Sequence, residues 1–318
     1  MTDIVAANNN GGRKPAALRR AAKALARDRY LVLMVLPALA LLIVFRYIPL
    51  YGVVVAFQDY KPGNSFLGSE WVGLANFAEF INGPFFARLM ANTFLLGFYS
   101  LVVGFPLPIL LALSFNEVRN GPFKKIAQTV SYLPYFVSTV VIIGILRNLM
   151  DFDNGIINDI VAALGGERIK FFASADWFRT IYVGSGVWQS LGYSAIIYLA
   201  ALSGIDTQIY ESATIDGASR LRKLWHISLP GIMPTVLVLL ILSVGGVFAS
   251  DVQKVLLIYT PASYSTSDVI GTYIYRRGIE KADYSYSAAV GLFTNAISFV
   301  FLFATNMLSR KFGESSLW

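Results

Sequence analysis

Five stretches of this chain carry no Asp, Glu, Lys or Arg: residues 92–115, 126–146, 181–205, 231–250 and 284–308. A sixth, residues 31–57, is interrupted only by Arg46. A hydrocarbon core about 30 Å thick takes roughly 20 apolar residues of helix to cross. Inside it every backbone N–H and C=O must find its partner within the protein, so stretches of this length become helices. The pattern predicts an all-α integral membrane protein with six transmembrane helices. Composition agrees: 14% of residues are charged, against roughly 25% in a soluble chain. Prolines 37, 49, 106, 108, 134 and 234 lie in or near the stretches, where neighbouring helices can satisfy the freed carbonyls.

Lys and Arg orient the spans, because basic residues concentrate on the cytoplasmic side. With the N-terminus inside, the tail, the loops after the second and fourth stretches and the C-terminus hold fifteen Lys and Arg against seven acids; the other side holds eleven against twelve. Both termini are expected in the cytoplasm of a multi-pass inner-membrane protein. Residues 1–29 read as a basic arm that can lie on anionic lipid, and 30–318 as the six-span domain. The apolar run continues past Pro49 to Phe57 without a small-x-small cleavage site, so the first span is expected to be retained rather than removed as a signal peptide. Trp71 and Trp177 suit the membrane–water interface.

Several functions are excluded by what the chain lacks. There is no cysteine and one histidine, His226, so neither a thiolate site nor a His-pair zinc site can form. No GxxxxGK[ST] stretch exists, so any ATP must be bound by another subunit. Five of the six stretches lack the intramembrane carboxylates that an ion-gradient-driven secondary transporter or channel, the alternative reading, favours. An intramembrane enzyme would need a clustered nucleophile and base, and the one His lies outside the stretches. The basic residues are scattered over separate loops and a tail, which argues against nucleic acid as a partner.

The loop at 205–230 is polar and basic, and longer than a connection needs. Asp206 is placed to cap a short helix carrying Tyr210, Glu211 and Ala213. Gly217 permits a turn with positive φ. Ser219 is placed to cap a second helix with Leu221, Leu224 and Trp225 on one face, and Pro230 is expected to end it before the next span opens at Gly231.

Glu211, Ala213, Gly217, Ile227, Leu229 and Pro230 match E-A-A, three residues, G, nine residues, I-x-L-P, with Ser212 in place of the second alanine. This resembles the signature of permease subunits of bacterial ATP-binding-cassette importers. FRYIPLYGVVVAFQDYKP, EWVGLANF, TYIYRRGIEKADYSYSAAVGLF and SRKFGESSLW resemble the carbohydrate-uptake branch of that family, maltose-type and polysaccharide-type. Only residues 1–29 fall outside the resemblance. It implies the type I importer permease fold, a coupling helix docked on the ATPase through Glu211, Ser212, Ala213, Asp216, Gly217, Ile227, Leu229 and Pro230, and no cofactor of the chain's own, since ATP-Mg is held by partners. It also implies those partners: a second homologous permease, two ATPase subunits, an extracytoplasmic solute-binding protein and an oligosaccharide cargo.

Polar groups inside spans usually face the interior. Arg46, Asn92, Tyr99, Trp188, Gln189, Tyr193, Ser194, Ser243, Asn295 and Ser298 are therefore candidates for the cargo path, against helix–helix hydrogen bonding as the plainer role. Gly184 and Gly186 are read as close helix contacts. Arg46, with Lys254, Arg276 and Arg277 near the outer mouth, points toward an acidic oligosaccharide such as an alginate or pectin fragment.

Overall fold

The computed structural model describes residues 27–63 and 68–311, except for the side chain of residue 311. Most of the basic arm and residues 312–318 lie outside the described residues. The chain divides at Val54 into two units.

The first unit is an apolar helix, α1 (Arg29–Leu42), followed by a π-helical turn Ile43–Tyr47 and a 3-10 helix Ile48–Phe57 that crosses into the second unit. Leu33, Met34 and Phe45 are exposed along it, as lipid contact requires. Arg46 lies in the π turn and is exposed.

The second unit opens with a two-residue antiparallel ladder, β1 (Gln58–Asp59) on β2 (Glu70–Trp71), and a short helix α2 (Ala75–Ile81). Then come α3 (Phe86–Gly104), α4 (Pro106–Glu117), α5 (Pro122–Tyr132), α6 (Thr139–Leu149), α7 (Ile156–Ala163) and the long α8 (Ala175–Ser203). The chain continues through α9 (Thr207–Ile215), α10 (Arg220–Lys223), α11 (Leu229–Gly245), α12 (Val252–Ile258), α13 (Tyr264–Ser267), α14 (Ile270–Tyr275) and α15 (Tyr284–Lys311).

Helix α8 organises this unit. At 29 residues it is about 43 Å long at 1.5 Å per residue. Phe178, Ile181, Tyr182 and Val183 near its start join Leu96, Ile143, Val255 and Ile258 in one core cluster. Ala195, Tyr198 and Leu202 near its end join Ala112, Leu113, Ile232 and Val236 in another.

Among the described residues four helices are long and apolar enough to cross a membrane, or five if one bent pair counts as a span. The stretch at 181–205 is the remaining one: its helix starts six residues earlier and interleaves Gln189, Ser190, Tyr193 and Ser194 with apolar residues. The stretch at 126–146 is not one helix. Pro122–Phe136 and Thr139–Leu149 meet at 100°, because Pro134 supplies no N–H, Val137 turns extended, and Ser138 caps the new helix by accepting the Val141 N–H at 3.4 Å.

The expectation at Pro230 changes: this proline does not end the loop helix. Arg220 to Gly245 is one helical segment of 26 residues. A π turn at Leu224–Ser228 stands two residues before Pro230, as the π turn at Ile43–Tyr47 stands two residues before Pro49. Proline clashes with the carbonyl four residues back and cannot bond to it; the wider π turn absorbs the mismatch and lets the helix continue.

Candidate functional site: a braced hairpin and a polar crevice

The loop at 205–230 forms a hairpin of two helical arms. Asp206 caps α9 by accepting the Gln208 N–H at 2.9 Å, and Ser219 caps α10 by accepting the Arg222 N–H at 3.4 Å. Gly217 lies between them at φ +73. The Gly217 N–H donates to the Thr214 carbonyl at 3.1 Å and the Ala218 N–H to the Ala213 carbonyl at 2.9 Å. That pair of bonds is a Schellman closure, with glycine in its left-handed position. The three residues separating Ala213 from Gly217 thus have a backbone reason, which the sequence reading saw only as a turn.

Side chains brace the arms. The Tyr210 and Ser228 hydroxyls are 2.9 Å apart, with Ser228 buried. Lys223 Nζ donates to Thr214 Oγ1 at 3.1 Å, and His226 Nδ1 donates to the Arg222 carbonyl at 2.9 Å. Ile205, Leu224 and Leu229 pack onto the core cluster around Ala195 and Ile232. Glu211, Ser212, Asp216 and Pro230 are exposed, while Ala213 and Ile227 are half-buried. Ile215, Leu221 and Trp225 are exposed at 88%, 70% and 61%. With Ile209 at 49%, four large apolar side chains are bared on one ordered hairpin, and they mark a surface that something covers.

A crevice lies farther along α11. A cavity of about 380 Å³ is lined by Ser100, Tyr182, Ser190, Ser194, Tyr198, Ser243 and Ser250, among others. A second of about 270 Å³ shares Ser100, Tyr182 and Ser190 with it and adds Gln189, Asp251 and Lys254. Ser243 Oγ donates to the Leu239 carbonyl at 2.7 Å and Gln189 Nε2 to the Val137 carbonyl at 3.0 Å. Their remaining oxygens can accept from a ligand. Asp251 Oδ1 accepts the Lys254 backbone N–H at 3.1 Å and so caps α12. Burial lowers the Lys254 ammonium from its usual 10.5 to about 8, against the opposing pull of Asp251.

The other path candidates are dispersed. Asn92 is buried and committed: its amide donates to the Ser265 and Asp268 carbonyls at 3.0 and 3.1 Å, and its oxygen accepts from Arg179 at 3.0 Å. Tyr99 is 40% exposed, beside Arg179, Thr180 and Gly184. Trp188 is 53% exposed, beside Trp177 and Thr180. Tyr193 stacks on Tyr135 with centroids 3.8 Å apart. Asn295 is exposed and lines neither cavity of the crevice. Arg276 and Arg277 are tied into ion pairs, Arg276 to the buried Asp268 at 2.7 Å and Arg277 to Glu79 at 2.8 Å. Gly186 allows a close approach of another helix's side chain: an added Cβ would stand 2.8 Å from Lys254 Nζ of α12, so the missing side chain leaves room for the ammonium. Ser100, Ser190 and Asp251 were missed; the serines bond back to their own helices, and sequence alone does not show which face they take.

Residues 104–314 match the family described as binding-protein-dependent transport system inner membrane component. The polygalacturonan/rhamnogalacturonan transport system permease protein YteP of Bacillus subtilis (strain 168) is 42% identical over 92% of this chain and 92% of its own. Protein LplB of the same organism is 41% identical over 93% of each. A chain of a bacterial ABC transporter involved in the import of the acidic polysaccharide alginate superposes with a TM-score of 0.84 at 37% identity, covering 92% of this chain and 99% of that one. A chain of a bacterial alginate ABC transporter in complex with alginate pentasaccharide-bound periplasmic protein gives 0.85 at 36% identity, covering 93% and 99%.

Proposed function

The chain belongs to the family of inner membrane components of binding-protein-dependent transport systems and is a permease subunit of a carbohydrate ABC importer; we propose that its cargo is an acidic oligosaccharide and that the hairpin at 205–230 receives the force that moves it. The observation that carries the second part is the unbroken helical segment Arg220–Gly245. About 39 Å long at 1.5 Å per residue, it has the hairpin at one end, and at the other it supplies Leu239, Ser243 and Gly246 to the crevice wall. A push on Trp225 or Leu221 is therefore carried to the cavity by one stiff element.

In this reading the exposed Ile215, Leu221 and Trp225 seat against a cytoplasmic ATPase subunit, Glu211 pairs with a basic group on it, and Gly217 sets the angle of approach. A second, homologous permease contributes the opposite wall of the path, since this chain alone spans the membrane too few times to enclose a wide route. Two ATPases bind ATP-Mg and close together, drawing the two hairpins with them, and an extracytoplasmic binding protein delivers the cargo. Both termini then lie in the cytoplasm. The acidic character of the cargo is supported by the relatives, whose names speak of polygalacturonan and alginate.

Reversing one charge tests the docking. The complex carrying Glu211→Lys should assemble poorly with the ATPase or hydrolyse ATP without transport. Wild-type coupling in that variant would remove the hairpin from the mechanism.

A further inference from the structure

Among the described residues Lys254 is the one Lys or Arg that is fully buried. The half-buried Arg276 and Arg277 each have a carboxylate oxygen within 2.9 Å, and the half-buried Arg179 donates to Asn92 Oδ1 at 3.0 Å. Lys254 is 5% exposed, and none of the ion pairs among the described residues includes it. The ammonium donates once, to the Tyr182 carbonyl at 2.7 Å, and lies 4.7 Å from the centre of the Tyr182 ring. An ammonium has three donors, so this one is incompletely used. Asp251 favours the charged form without outweighing the burial, and a buried charge that forms no ion pair is costly.

The place is built to hold it. Asp251 fixes the start of α12, and the Asp251 N–H donates to the Tyr182 hydroxyl at 3.0 Å, locking that ring beneath the ammonium. Gly186 leaves the notch that the ammonium occupies. The smaller cavity of the crevice, about 270 Å³, opens onto it. Around that cavity the hydroxyls of Ser100 and Ser190 donate to the carbonyls of Leu96 and Gly186 on their own helices, at 2.8 and 2.9 Å. What they leave toward the cavity are lone pairs, which accept from the hydroxyls of a sugar.

We propose that Lys254 is the group of this crevice that binds the carboxylate of one uronate unit, with Gln189, Ser190 and Ser100 accepting hydrogen bonds from the ring hydroxyls of the same sugar. Asp251, on the same wall, keeps a carboxylate oxygen for a further hydroxyl and sets the ammonium's position from its own helix. The inference rests on the reading of the cargo as an acidic oligosaccharide and names the residue that enforces it. A neutral oligosaccharide leaves the ammonium unpaired, so the crevice discriminates against it.

The test uses the whole importer in proteoliposomes, with trigalacturonate and its carboxyl-reduced counterpart as competing cargoes. The ratio of acidic to neutral uptake should fall at least tenfold in Lys254→Met and stay within threefold of wild type in Lys254→Arg, which retains a cation. A wild type that takes up trigalacturonate, with an unchanged ratio in Lys254→Met, overturns the assignment of Lys254 and leaves the cargo reading standing. A wild type that takes up only the neutral compound overturns both. A measurement on the wild type covers the case in which Lys254→Met does not assemble. Acetylation of Lys254 by acetic anhydride, followed by peptide mass spectrometry, should be suppressed by trigalacturonate and not by the reduced compound; equal labelling with either contradicts the proposal.

Discussion

The Tyr210 hydroxyl meets the Ser228 hydroxyl at 2.9 Å across the two arms of the hairpin, eighteen residues apart in sequence. Ser228 is buried where the π turn hands over to α11, so this bond ties the first arm to the root of the second. Removing the Tyr210 hydroxyl costs one hydrogen bond, about 1 kcal/mol, and leaves the Ser228 hydroxyl without it. Tyr210→Phe should raise amide hydrogen exchange across Thr207–Ile215, with little effect on the remote helices. The double variant Tyr210→Phe/Ser228→Ala should cost less than the two single changes added together. Strict additivity would show that the hydroxyls are not coupled.

Gly217 holds φ +73, with nothing within 4 Å of where a Cβ would stand. The obstacle to a side chain is therefore conformational and not steric crowding. A β-branched residue there loses about 1–2 kcal/mol, and asparagine loses less because it tolerates the left-handed region. Gly217→Val should reduce co-purification with the ATPase subunits, with Gly217→Asn in between. Equal recovery of all three proteins would contradict a preformed turn.

Asp268 is 2% exposed in its side chain and receives Arg276 at 2.7 Å, Arg88 at 3.4 Å and the Thr272 hydroxyl at 3.0 Å. Asp268→Asn keeps the shape and removes the charge, leaving two guanidiniums without their shared counter-charge. Breaking a buried pair from one side costs about 3–5 kcal/mol, with the lower end expected here because Arg88 is partly exposed. Thermal unfolding in detergent should shift down markedly, while Arg277→Gln, at a more exposed pair, should shift it less.

The ammonium of Lys254 sets a pH dependence of known sign. Burial brings it to about 8, and the titratable groups facing it are Asp251 and the Tyr182 phenol. From pH 7 to pH 9 its charged fraction falls from about nine-tenths to about one-tenth. Uptake of an acidic oligosaccharide should therefore decline as pH rises through 8, while neutral uptake does not follow the same curve. Lys254→Arg should flatten the decline, since a guanidinium stays protonated. The same fall in that variant would place the titrating group elsewhere.

Local chemistry was well written in the sequence. Asp206 and Ser219 cap the helices expected of them, and Gly217 takes its positive φ, because each outcome depends on residues only a few positions away. The continuation of the helix through Pro230 was not legible. A proline reads as a stop, and only the π turn before it shows the mismatch absorbed. Nor could the stretch at 126–146 be read as two helices, since its apolar run continues across the break at Val137 and Ser138. The crevice was partly visible: Gln189, Ser194 and Ser243 stood out as polar residues in apolar runs. Asn92 stood out equally, yet it holds Arg179 and two carbonyls. Which polar residue faces a cavity and which ties helices together depends on contacts 50 to 180 positions away, such as Asn92 with Asp268, and spacing along one segment carries no trace of them.

The central claim is that this chain moves cargo only when force arrives through its hairpin from a separate nucleotide-hydrolysing subunit. The most direct measurement is uptake of a labelled uronate oligosaccharide into proteoliposomes, with components added stepwise. Uptake should appear only when the partner permease, the ATPase subunits, ATP-Mg and the cargo-loaded binding protein are all present, and should vanish with a non-hydrolysable ATP analogue. Accumulation by this chain alone, driven by an ion gradient with no nucleotide, would contradict the account.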